Sequence, residues 1–180
     1  HPGSGSQRPL IEKCLARRNG EDGLFLCWRV KHGVFQDNVL EGNGRFGISI
    51  GHKDTANLLR RNEIRLNEEA GICFRNESEA MAGQRNRLEE NVIENNGVKN
   101  DAPGIRVRGE TNDLNFTGNI IRDTRQGAER KQSVGILIEE KDIADLTVAM
   151  AAEDEADVIS VYDRLLSGSE NHLASFQRQA

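Results

Sequence analysis

The chain has 180 residues, a formal net charge of −5 and 4 % aromatic residues. An acidic total with few stacking rings disfavours a nucleic-acid partner. No apolar run is long enough to span a membrane, and three cysteines argue against a disulfide framework.

Residues 1–9 are expected to form a flexible tail. No signal peptide is visible, because the start HPGSGS is not the basic-then-apolar stretch of a secretion leader; that start reads as an expression remnant in the place of a native leader. Leu10 to Asn19 first suggests a short amphipathic helix. Its register argues instead for the second half of a coil, because Leu15 precedes Val39, and Asn19 precedes Asn43, by the same 24 residues. From there a Gly-apolar-x-apolar start recurs at Gly23, Gly47, Gly71, Gly104 and Gly135. Asparagines follow in register at Asn38, Asn62, Asn91 and Asn119, then at Asn43, Asn67 and Asn96. The first two intervals are 24 residues; the third is 33 and the fourth 31. The extra residues are placed at Glu77 to Gln84, Val98 to Ala102 and Gln126 to Gln132. In repeat proteins such insertions form loops on one face, often the binding face.

Period-2 alternation means strands with one buried face. Short strands separated by Asn/Gly turns cannot close a sheet within one repeat, but they can pair with the same strands of the next. That arrangement is a parallel solenoid whose coils stack about 4.8 Å apart. Stacked asparagines can hydrogen-bond along the axis at the turns, and the opening glycine allows a tight or left-handed corner. Ile48, Ile50, Ile72, Phe74, Ile105 and Val107 are the expected core. An antiparallel domain would need all three marks to keep register by coincidence. Cys14 occupies a ladder position, and Cys27 and Cys73 lie two coils apart. Two steps of about 4.8 Å exceed the roughly 4.4–6.8 Å Cα span of a disulfide, so all three read as free thiols.

The pattern over residues 10–138 resembles the right-handed parallel β-helix family that includes pectate lyases and alginate epimerases. The fold class expected is therefore mainly β, a right-handed parallel β-helix of about five coils, with a C-terminal α-helical hairpin over 139–180. The resemblance implies an extracellular or periplasmic location. Alignment of the coils places Phe25, Ser49, Cys73, Arg106 and Leu137 in one outward column, and Cys27, Gly51, Arg75, Arg108 and Glu139 in the next. His52, Lys53, Asp54, Glu77 and Glu110 lie just beyond. Arg75, Arg106 and Arg108, with Glu77 and Glu110 beside them, make a candidate strip for an anionic polysaccharide, since arginine forks match carboxylates. In the resembling lyases and epimerases a basic side chain removes the proton beside a uronate carboxylate that Arg, Lys or Ca²⁺ neutralises. By that likeness His52 and Lys53 are the catalytic candidates. The alternative is that these outward charges are simply solvated and paired.

After Ile138 the composition shifts to acidic residues and helical spacing, giving two expected helices over 140–152 and 155–178. LIEEKDIADL and VYDRLLSGSENHL are similar to the last two helices of an uncharacterised ferritin-like family, so the chain reads as a fusion joined near 130–140. That resemblance implies Glu139, Glu140 and His172 as metal-facing residues for Fe or Zn. One hairpin supplies too few ligands, and a cap on the β-helix is the competing reading. A monomer is expected, with a homodimer through the C-terminal helices as the alternative.

Overall fold

Strands between residues 10 and 138 pair in parallel with the strands one coil away, and the pairing distance is the repeat itself. The computed structural model of the chain describes residues 1–139. They form a mainly β parallel solenoid of five coils with three strands per coil. The first sheet stacks Leu10–Glu12, Val34–Gln36, Leu58–Arg60, Arg87–Glu89 and Asn115–Thr117. The second stacks Leu15–Arg17, Val39–Glu41, Glu63–Arg65, Val92–Glu94 and Ile120–Arg122. The third stacks Leu24–Phe25, Ile48–Ile50, Ile72–Phe74, Ile105–Val107 and Ile136–Ile138. The helical hairpin expected over 140–152 and 155–178, and its ligands Glu140 and His172, lie outside the described residues.

Inward positions stack as columns of like residues. Phe35, Leu59 and Leu88 fill the first wall, Leu40, Ile64 and Ile93 the second, and Ile48, Ile72 and Ile105 the third, all buried in one core. The polar ladders run beside this core. Asn62 is typical: its Oδ1 accepts the Asn38 backbone N–H and side-chain amide, and its Nδ2 donates to the Phe35 carbonyl and to Asn91 Oδ1. The series Asn19, Asn43, Asn67, Asn96 repeats the pattern and ends on Gln132, whose Oε1 accepts from Asn96. A third ladder, Asn57 and Asn86, occupies the remaining corner, with the Gly33 N–H bound to Asn57 Oδ1. Ladder residues follow residues with positive φ, among them Asp37, Ala56, Arg61, Leu66, Arg85 and Glu90. The ladder thus satisfies, inside the protein, the polar groups that a left-handed corner turns away from strand pairing.

Of the two roles expected for the opening glycines, a tight or a left-handed corner, the left-handed one is absent: Gly47 and Gly71 are not among the positive-φ residues. They are needed for close approach, because a Cβ on Gly47 would lie 2.7 Å from the Gly71 carbonyl oxygen, against Ile64 as well. Residues 1–9 lie in register with the first coil. Gln7 bridges Lys31 in parallel, the Gly5 N–H donates to Trp28 O, and His1 stacks on Phe25 with ring centroids 5.8 Å apart. The same coil step that aligns Leu10 with Val34 reaches back to Gln7.

The insertions sit where the spacing put them. A 3₁₀ turn at Glu79–Met81 lies in the first loop and another at Gly127–Glu129 in the last. Asp123 fastens the last loop. Its carboxylate accepts the backbone N–H of Arg125, Lys131 and Gln132 and both Nε and Nη2 of Arg125. Burial alone would raise its pKa, but the Arg125 side chain and those three amides hold it well below the ordinary 3.8.

Ile72→Ala should cost about 2–5 kcal/mol as a large-to-small change in the core. Asn62→Ala should cost a comparable amount, at least about 3 kcal/mol, by stranding several buried polar groups at about 1–3 kcal/mol each. Denaturant unfolding checks both. Asp123→Asn should lower stability at neutral pH. A depressed acid stabilises above its unfolded pKa and loses that contribution as pH falls through its folded one. The gap between wild type and variant, followed by thermal melts, should therefore be full above about pH 4 and shrink in stronger acid.

Candidate functional site

The outward residues of the third sheet and the turn after it carry most of the polar chemistry picked out in the sequence. The structure divides the three arginines into two groups. Arg75 folds back over the two preceding coils. Its Nη1 donates to Ser49 Oγ at 2.8 Å and its Nη2 to the Leu26 carbonyl at 2.8 Å, and the guanidinium lies 4.5 Å above the Phe25 ring. Arg106 and Arg108 instead meet Glu139 of the next coil, at 3.4 and 2.7 Å. Arg75 thus reaches towards the earlier coils and Arg106 and Arg108 towards the next, and Glu139, named as a metal-facing residue, is engaged by two cations. The outward column is also less exposed than alternation implies. Ser49 lies under Arg75, and Cys73 packs with Phe46 and Ala70 in a second apolar cluster. Burial pushes the Cys73 thiol up to about 11, against the nearby charges of Arg106, Arg108 and Arg75. All three cysteines are free.

Asp54, expected beyond the outward columns, is wholly buried. Its Oδ1 accepts the Val30 N–H and its Oδ2 the Gly51 N–H, with Arg75 Nη2 3.4 Å away. It does for this corner what the asparagines do for theirs. Burial raises the Asp54 pKa more than these amides and the Arg75 charge lower it, and burial likewise lowers that of Arg75.

His52 sits between two partners. Arg75 Nη2 lies 3.1 Å from its Nδ1, and Glu77 Oε1 lies 3.0 Å from its Nε2. A guanidinium can only donate, so Nδ1 must accept and the ring proton belongs on Nε2, pointing at Glu77. Both ring nitrogens are therefore occupied. Glu77 is joined to the next coil through the Glu110 N–H, which donates to its carbonyl, while the Glu110 carboxylate accepts the Glu79 N–H. Lys53 is exposed and forms no ion pair among the described residues.

Three residues escaped the sequence reading. Trp28 is 49 % exposed, and its ring lies 5.5 Å from that of His52 at a 36° tilt. The signal was present, since Trp28 precedes His52 by one 24-residue step. Lys31 and Arg85 join Lys53 along a groove beside this turn. Trp28, His52, Glu77 and Glu110 thus form a row, one residue per coil.

Arg75→Ala should destabilise the fold by about 3–5 kcal/mol, because it leaves the Asp54 carboxyl buried without its cation. Arg108→Ala removes a half-exposed pair and should change stability by less than about 1 kcal/mol. Parallel thermal melts of the two variants check the contrast.

Set against known proteins, the family described as "Periplasmic copper-binding protein (NosD)" matches residues 4–133, nearly all of the described solenoid. No curated protein and no solved structure matches the chain.

Proposed function

The chain belongs to the NosD family, and we propose that it is a non-catalytic β-helix scaffold that binds an anionic glycan across the edge of its stacked turns. What supports this most is the row of Trp28, His52, Glu77 and Glu110. An exposed indole gives an apolar platform for a sugar face, and the carboxylates farther along the row can accept hydrogen bonds from hydroxyls. Lys53 at the same edge supplies a cation without an ion pair among the described residues. Arg75, Arg106 and Arg108, the arginines of the expected strip, serve this reading as supports: Arg75 positions His52, and the other two hold Glu139. The family's description as periplasmic agrees with an extracellular or periplasmic location.

The same description names copper. Among the described residues no group of three or more His, Cys, Asp or Glu side chains is placed to hold a metal ion. Soft thiolates suit copper(I), but the three cysteines are not assembled, and burial keeps Cys73 protonated at neutral pH. These residues do not fit a copper centre, and no step is drawn through one. The Fe or Zn set of Glu139, Glu140 and His172 has two of its three members outside the described residues.

A lyase or epimerase is the second reading, and the unpaired Lys53 favours it over a purely structural edge. In it Lys53 in its neutral amine form, rather than His52 with both nitrogens engaged, would take the proton beside a uronate carboxylate. Incubation with uronate polymers would then produce unsaturated ends absorbing in the ultraviolet or a changed epimer ratio.

Trp28 is the chain's one tryptophan, so its fluorescence reports this edge directly. Titration with short oligouronates should shift or quench the emission, and added salt should weaken the effect. Emission unchanged by every acidic glycan tried would remove the proposal.

A further inference from the structure

The turn that follows the third sheet is longest in the third coil, and that extra length builds a groove. The Lys53 N–H donates to the Met81 carbonyl at 2.7 Å, and the Ala56 N–H to the Gln84 carbonyl at 3.1 Å, so the inserted segment is clamped against the coil before it. Between the segment and that coil lies a cavity of about 320 Å³ lined by Lys31, Lys53, Thr55, Glu79, Gln84 and Arg85. Lys31 and Thr55 are bridge partners, and Arg85 stands at a left-handed corner immediately before the ladder residue Asn86. The three cations come from three successive coils.

None of these cations forms an ion pair among the described residues. The outer face of the second sheet behaves otherwise. There Arg65 meets both Glu41 and Glu63, and Arg122 meets Glu94. Charges on that face are interleaved and neutralised. In the groove three positive charges face one carboxylate, that of Glu79. Like charges held around one concavity repel, and an anion entering it relieves that repulsion. The Thr55 hydroxyl and the Gln84 amide add neutral hydrogen-bonding groups to the lining.

We propose that this groove is a charge-reading subsite for a carboxylated polysaccharide, with Lys31, Lys53 and Arg85 selecting the acidic group. The inference rests on the glycan-binding reading but uses different residues from the Trp28 row. The Trp28 row would hold the sugar ring, and the groove would discriminate charged chains from neutral ones.

The test is calorimetric titration of the full chain with an oligogalacturonate, with its methyl-esterified neutral counterpart and with inorganic sulfate alone. Wild type should prefer the charged oligomer. The double substitution Lys31→Gln with Arg85→Gln should weaken its binding about 10-fold, from two screened contacts, and flatten the salt dependence while leaving the neutral oligomer unaffected. Lys31→Gln alone serves if the double variant does not melt like wild type, and Arg65→Gln on the second sheet is the control. If Trp28→Ala abolishes binding and the groove variants do nothing, the subsite is wrong and the glycan reading survives. If the groove variants weaken binding and Trp28→Ala does not, the subsite stands and the Trp28 row is wrong. Equal affinity for charged and neutral oligomers overturns the subsite, as does tight binding of sulfate with no added affinity for the oligomer. No binding of either oligomer overturns both proposals.

Discussion

The asparagine ladders are the constraint on which the rest of the solenoid depends. A coil must turn three corners, and each corner takes backbone amides out of strand pairing. Asn38, Asn62 and Asn91 supply a carbonyl for the amide of the coil before and an amide for the carbonyl of the next. An asparagine that slipped by one residue would lose both sets of partners, and so would the apolar column beside it. Register, core and corner geometry are therefore one condition. Gly47 and Gly71 meet the same condition from the backbone side, where neighbouring coils leave no room for a Cβ.

That unity made the fold legible and left the site obscure. Strand positions, the five coils and the places of the longer loops follow from marks that recur once per coil. The third ladder escaped because its regular members number two, Asn57 and Asn86, with a glycine standing at Gly33. The opening glycines were legible as a mark, but a sequence does not distinguish a left-handed corner from a tight one, and the close approach of the next coil decides for the second. Residues 1–9 hold no glycine-apolar mark, so nothing showed that Gln7 continues the register.

Side-chain direction on the outer face was less predictable for a different reason. Alternation tells which side of a strand a residue leaves from, not where a long side chain ends. Arg75 leaves outward and then lies back over Ser49 and Phe25, drawn by the buried Asp54. Asp54 itself turns inward because amides at its corner need an acceptor. Trp28 and His52 could have been paired from their spacing. The groove cations could not, because Arg85 reaches its place through a stretched coil. The interleaved charges on the second sheet also show that outward arginines by themselves are weak evidence of a ligand.

The constant reach of the ladders has a consequence for how the chain acquires its structure. Between neighbouring coils the strand contacts span 24 to 33 residues, and coils farther along do not lengthen that span. Loop-closure entropy is then paid in equal small instalments, and each completed coil is the template for the next. Growth can start at any well-formed coil and travel in either direction. The coil from Ile48 to Arg65 has no insertion and buried inward residues on both neighbours, which makes it a natural place to nucleate. The loops at Glu79–Met81 and Gly127–Glu129 would then act as pauses in propagation, so the features that equip the surface are also those that set its pace of assembly.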